Sequence, residues 1–254
     1  MVRMINQWQL MQRNVGVWRG CFDTMDRSLA LIKRQPSVLT LQSAPSGTSI
    51  DLTLLLWSSG LQLNENPFAG EPEKRICQSF MRVEPDLGFF STGSFSRGTV
   101  HVSAWTKLYA EFCFLKGDRR HRSVLLWDVS GRLDRVVSIL EFRDGVTQLP
   151  CRPLTKEQLL GAWSGTKETL LAGSQDLSCS TWSGVIEPST LDGVQYLQDG
   201  GGFRIPHQVV SQEAFSIEAW WVSSFDCLQR LTRSYDACGA LLSTSSMLLR
   251  RNAC

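Results

Sequence analysis

The pattern Gly-x-Trp-x-Gly occurs twice, as Gly16-Val17-Trp18-Arg19-Gly20 and as Gly161-Ala162-Trp163-Ser164-Gly165. A bulky indole held between two glycines is uncommon, and its repetition in one 254-residue chain marks a duplicated unit. What surrounds the two copies agrees. Asn6 and Thr155 each precede a Gln at capping-box spacing, Gln9 and Gln158, so a short helix should lead into each copy. Farther on, Trp127-Asp128-x-x-Gly131 and Tyr235-Asp236-x-x-Gly239 repeat an aromatic-Asp-x-x-Gly turn, each with an arginine upstream, Arg122 and Arg230.

The intervening sequence reads as short strands. Val100, Val102 and Ala104 alternate with polar neighbours over Thr99–Ala104. Tyr109–Leu115 and Ser123–Trp127 flank Lys116-Gly117-Asp118, a hairpin signal. Arg135–Phe142 closes the first half, and Ala214–Val222 and Leu241–Leu249 are strands of the second. Asp199-Gly200-Gly201-Gly202 is a turn, and the segment from Gly93 to Gly98 reads as a turn into the Thr99 strand. Gly145, Pro150 and Pro153 mark a linker over residues 144–153. The chain therefore divides at 1–148 and 149–254, the second unit shorter by loops or by a strand.

Short antiparallel strands expose hydrogen-bonding edges, and curling the sheet into a barrel removes them. The expected class is all-β: two tandem antiparallel barrels, each preceded by a short helix. Trp18 and Trp163 should fill the floors. Gly16, Gly20, Gly161 and Gly165 admit the bend and close approach, and Arg122 and Arg230 should lie across the indoles as barrel-closing cations.

Composition narrows the function. Apolar residues make up 43% and charged residues 20%, which supports a core rather than disorder. A net charge of +2 without a basic stripe excludes a dedicated nucleic-acid binder. No apolar run approaches a membrane span, and the opening lacks the pattern of a secretory signal, so a cytoplasmic protein is expected. The eight cysteines contain no Cys-x-x-Cys, and reduced thiols follow. His101, His121 and His207 lack metal-ligand spacing, and neither a Gly-x-Ser-x-Gly elbow nor a Walker loop is present, so no residue reads as catalytic or metal-binding.

Gly-x-Trp near the start of a barrel, with an arginine on a late strand, resembles the lipocalin (calycin) superfamily. The stretches "QWQLMQRNVGVWRGCF", "SFSRGTVHVS", "FLKGDRRHRSVLLWDVSGRL" and "RLTRSYDACGALLS" are similar to a two-barrel family of cyanobacteria and plastids that includes the plant biogenesis factor required for ATP synthase 1. This resemblance implies lipocalin-like barrels and a non-catalytic role in assembling the soluble F1 head, with F1 subunits as protein partners. The bilin lyases are more distantly similar and imply an alternative, a bilin or tetrapyrrole carrier or chromophore lyase. A carrier of another apolar small molecule is a further alternative. No cofactor is expected, apart from a bilin under the alternative.

Two groups of residues are candidates for contact. Lys116, Arg119 and Arg120, with His121, form a basic cluster suited to steering an acidic partner; the bland reading is a solvated hairpin tip. Trp57, Trp105, Trp182, Trp220 and Trp221 could line a pocket for a flat ligand; the bland reading is barrel filling. Trp220 and Trp221 must point to opposite faces of their strand.

Overall fold

The computed structural model describes residues 6–58, 66–103, 105–147, 151–210 and 212–252. Cys254, Ala104 and Pro150 lie outside them. Both capping boxes form, at Asn6–Gln9 and Thr155–Gln158, and open the helices α1 (Gln7–Met11) and α2 (Lys156–Leu159).

Each helix feeds an antiparallel sheet. The first contains β1 (Gly16–Asp26), β2 (Leu31–Ser43), β3 (Ile50–Leu56), β4 (Lys74–Phe80), β5 (Leu87–Phe89), β6 (Phe95–Gly98), β7 (Tyr109–Lys116), β8 (Arg119–Trp127) and β9 (Leu133–Arg143). The second contains β10 (Gly161–Leu171), β11 (Leu177–Ile186), β12 (Gln195–Tyr196), β13 (Gly201–Arg204), β14 (Phe215–Ser224), β15 (Cys227–Tyr235) and β16 (Leu241–Arg251). Strand order is 4-3-2-1-9-8-7-6-5 in the first and 11-10-16-15-14-13-12 in the second. Superposing these orders matches β1 with β10, β9 with β16, β8 with β15, and so on outward. The second sheet is the first without the β3–β4 hairpin, which is why it is shorter.

Both sheets curl. Phe80 on β4 and Leu87 and Phe89 on β5, from opposite edges of the first sheet, share one core cluster with Trp18, Leu39 and Leu10. The ladder does not run fully round, since β4 and β5 are edges. Part of the gap is filled by α1: Gln7 donates through Nε2 to the Phe89 carbonyl (3.0 Å) and accepts from the Phe89 N–H (2.7 Å), a side chain standing in for a strand.

Strand alternation sends the other face of β7, β8, β14 and β15 into a seam between the sheets. Phe112, Phe114, Leu125 and Trp127 pack there on Phe203, Ile217, Trp221, Leu231 and Tyr235 in one cluster. The contacts are reciprocal. The Val102 N–H donates to the Gly239 carbonyl and the Val209 N–H to the Gly131 carbonyl, both at 2.8 Å. Each loop thus seats on the aromatic-Asp-x-x-Gly turn of the other half, an isologous pattern like that of a two-fold dimer. A β-carbon on Gly131 or Gly239 would run into the carbonyl of Val209 or Val102, and both glycines have positive φ (75° and 80°).

The Thr99 strand is corrected. β6 ends at Gly98, and beyond it only a bridge from His101 to Ala240 remains. The alternating valines bond across the seam, Val102 to Gly239 and Val100 to Leu241, instead of joining a ladder of their own sheet. The segment from Gly93 to Gly98 is a turn followed by β6 itself.

Candidate functional site

At the base of each sheet an indole is clamped in the same way. Trp18 Nε1 donates to the Asn14 carbonyl (2.9 Å), and Trp163 Nε1 to the Leu159 carbonyl (2.8 Å). Over them lie Arg143, 4.4 Å from the Trp18 ring centre, and Arg251, 4.3 Å from that of Trp163. Each arginine also donates to the carbonyl preceding its first glycine, that of Val15 (2.9 Å) or Leu160 (2.7 Å). Gly16 and Gly161 have φ of 139° and 113°, and a β-carbon on Gly16 would strike the Arg143 guanidinium. Gly20 and Gly165 let β9 and β16 approach, since a β-carbon on either would meet the Leu140 or Leu248 carbonyl.

The assignment of Arg122 and Arg230 to these clamps is corrected. Arg122 lies over Phe22 (5.3 Å) and Arg230 over Trp220 (4.8 Å), farther from the floor. Arg143 and Arg251 are the cross-strand partners of Trp18 and Trp163, so register places them on the indoles. A second cation, Arg120, also covers Trp18 at 4.5 Å.

Arg122 and Arg230 belong instead to a repeated ion-pair motif. Arg122 bonds Glu111 (2.9 Å) and Glu141 (3.0 Å), and Arg230 bonds Glu218 (2.5 Å). Ladder register aligns Glu111 with Glu218 and Arg97 with Arg204. Arg204 bonds Glu218 (2.9 Å), whereas Arg97 turns to Asp86 (2.9 Å). In the first half the motif continues inward to Arg120, which bonds Glu141 at 2.8 Å with both side chains buried. Burial pushes the Glu141 pKa up, but Arg120 and Arg122 outweigh it and leave the carboxyl below its ordinary value. Burial raises the neighbouring Cys113 thiol to about 12, so it stays protonated at neutral pH.

Above this filled base the first sheet stays open towards β3 and β4. Phe22, Leu52 and Leu54 are half-buried, and Ile76 is 36% exposed. Leu54 and Ile76 are cross-strand neighbours, and Phe22 meets the arginine–glutamate group through Arg122 (5.3 Å).

The five tryptophans do not share one pocket. Trp57 packs edge-on to Phe68 (5.4 Å) and bonds Gly70. Trp105 is 96% exposed in the 99–108 loop. Trp182 and Trp220 lie in the core of the second sheet, and Trp221 faces the seam. Strand alternation separates the last two, as their adjacency requires.

The basic cluster is not a solvated patch. Alternation sends Arg120 into the first sheet and His121 into the seam, both buried. His121 Nε2 lies 3.0 Å from Asp199 Oδ1. Arg119 stacks between Phe142 and Trp221, and Lys116 donates to Ser224 Oγ (2.7 Å). The second half supplies Asp199, Trp221 and Ser224 as partners of this cluster. Sequence reading missed Arg143, Arg251 and Glu141; the signal was there, in the matching arginines that end β9 and β16.

Among the described residues no group of three or more His, Cys, Asp or Glu side chains could hold a metal ion, and no helix is long and apolar enough to cross a membrane. The described cysteines are unpaired.

No curated protein matches the chain. Among solved structures, a protein of unknown function from the DUF3598 family of Nostoc punctiforme PCC 73102 is 26% identical, with a TM-score of 0.81 over 98% of this chain and 100% of that one. That similarity extends across both sheets. An S-type phycobiliprotein lyase from Guillardia theta is 10% identical, with a TM-score of 0.22 over 98% of this chain and 94% of that one. A putative outer membrane protein from Bacteroides fragilis NCTC 9343 is 12% identical, with a TM-score of 0.28 over 96% of this chain and 99% of that one. Residues 4–146 match the model described as the N-terminal domain of unknown function DUF3598, and the chain belongs to that family.

Proposed function

We propose that the protein is a non-catalytic interaction factor that presents the open face of its first sheet to a protein partner. One observation carries the reading: the bases of both sheets are packed with their own side chains, while Phe22, Leu52, Leu54 and Ile76 leave apolar surface accessible beside buried ion pairs. Such a face suits an inserted apolar anchor on a partner, flanked by charge that sets register. The sequence resemblance nominates subunits of the F1 head of an ATP synthase as that partner, with the cytoplasm as the place of action. Affinity capture from native lysate tests it. Enrichment of F1 α, β or γ subunits that is lost in Ile76→Glu supports the reading, and their absence from the captured fraction rejects that partner.

A second reading has its own support. Trp220 is buried with an unbonded Nε1, and Trp182 is packed in the same core. A flat conjugated molecule with a carbonyl or carboxylate, such as a bilin, would meet an indole donor and an aromatic wall there. Visible absorbance in the same captured fractions, or a spectral shift on adding bilin, would favour this carrier over the interaction factor.

A further inference from the structure

A cleft of about 350 Å³ opens where the two halves and the segment between them meet. Its lining includes Arg119 from β8, Arg152 from the connecting segment, Arg251 from β16, Asp199, Ser224 and Phe225. At its edge Lys116 donates to Ser224 Oγ (2.7 Å), which in turn donates to Asp226 Oδ1 (2.7 Å).

Among the described residues, Arg119, Arg152 and Arg251 pair with no carboxylate, whereas Lys116 reaches Asp226 through Ser224. Arg119 donates to the Ser223 carbonyl (3.4 Å) and Cys151 Sγ (3.2 Å), and its Nε is buried without a partner. Arg251 spends its donors on the carbonyls of Gln158, Leu160 and Phe225. The side chain of Arg152 makes no hydrogen bond or ion pair among the described residues, and the residue is exposed. The carboxylate in the lining, Asp199, is already engaged by His121, Ser138 and the Gly201 N–H. Guanidinium stays charged at any working pH, and low-dielectric walls focus the field of unpaired charges into the cleft.

We propose that this cleft binds a small phosphorylated molecule. A phosphate monoester carries about −1.5 to −2 charge and three acceptor oxygens, which answers an excess of several cations better than one carboxylate does. Arg119 and Arg152 take the phosphate oxygens, since the arginine fork fits them, and Arg251 supplies field. The cleft has the size of a small-ligand site. Phe225, 83% exposed and 5.3 Å from the Arg251 guanidinium, offers apolar surface for the rest of the molecule. Because the walls come from both halves, an occupant braces them together.

Calorimetric titration with pyrophosphate and with inorganic phosphate, against acetate at matched ionic strength, tests this. Phosphate compounds bind and raise the melting temperature, and acetate does neither. Trp221 fluorescence changes on binding, because Arg119 stacks on that ring at 5.5 Å. Arg152→Gln, at an exposed position, melts like the parent and binds pyrophosphate about tenfold more weakly. Arg119→Gln weakens binding and removes the fluorescence response; should it misfold, Arg152→Gln decides alone. Phosphate compounds that bind no better than acetate, or undiminished binding in Arg152→Gln, overturn the proposal.

Discussion

His121 on β8 and Asp199 in the turn before β13 join the two halves, with Nε2 3.0 Å from Oδ1 and the imidazole fully buried. Burial pushes the Asp199 carboxyl up, but the charge of His121 and bonds from His121, Ser138 and the Gly201 N–H outweigh it and hold the pKa at about 2, below the usual 3.8. An acid whose folded pKa lies below its unfolded value stabilises the fold above the unfolded value and loses that effect as pH falls through the folded one.

The contribution, on the order of 2 kcal/mol, is therefore complete above about pH 5 and lost progressively as pH falls towards about 1. Asp199→Asn should lower the melting temperature at neutral pH and flatten its fall over that acid window. Melting curves across the window check this, and parallel curves for variant and parent would contradict it.

Replacing Arg143 or Arg251 by Ala removes a cation from an indole face and leaves a half-buried carbonyl short of a donor. Each should cost about 2–3 kcal/mol in urea unfolding. An Arg143→Ala midpoint equal to the parent's would refute the clamp.

The buried Arg120–Glu141 pair has Leu228 and Leu249 as its counterparts in the second sheet, at matched register. The same framework therefore tolerates an apolar pair there. Glu141→Leu alone strands Arg120 in the interior and should cost about 3–5 kcal/mol. Adding Arg120→Leu should restore most of it, because Arg122 keeps Glu111 as Arg230 keeps Glu218. A double variant no more stable than the single would show that the two leucines cannot be transplanted.

The seam is held by a shared apolar core and reciprocal loop contacts, not by the connecting segment. A protease site inserted within residues 144–153 should, once cleaved, leave both halves co-eluting in gel filtration. Separation of the fragments in native buffer would mean that the connection, rather than the seam, holds them.

Duplication was legible because it leaves local marks. Gly16 and Gly161 must be glycine for their backbone angles, Asn6 and Thr155 must cap, and Gly131 and Gly239 must turn. Those requirements act over a few residues, so they survive as readable patterns. The closing arginines were not legible in this way. Arg122 and Arg230 stood at matching distances from a visible motif, whereas Arg143 and Arg251 reach their indoles only through the register of β1 on β9 and of β10 on β16. The basic cluster misled for a related reason. Charge predicts exposure until another part of the chain arrives with Trp221, Ser224 and Asp199 to cover it.

The sequence by itself determined two all-β units, each entered through a capped helix and a glycine-flanked tryptophan, because dihedral limits and capping are local. Tertiary structure decided which cation lies on which indole, which half of the basic cluster is buried, and that the two sheets meet back to back. Those outcomes depend on pairing residues far apart in the chain, such as Trp18 with Arg143 and Arg119 with Trp221. Only the folded chain brings such residues within range of each other.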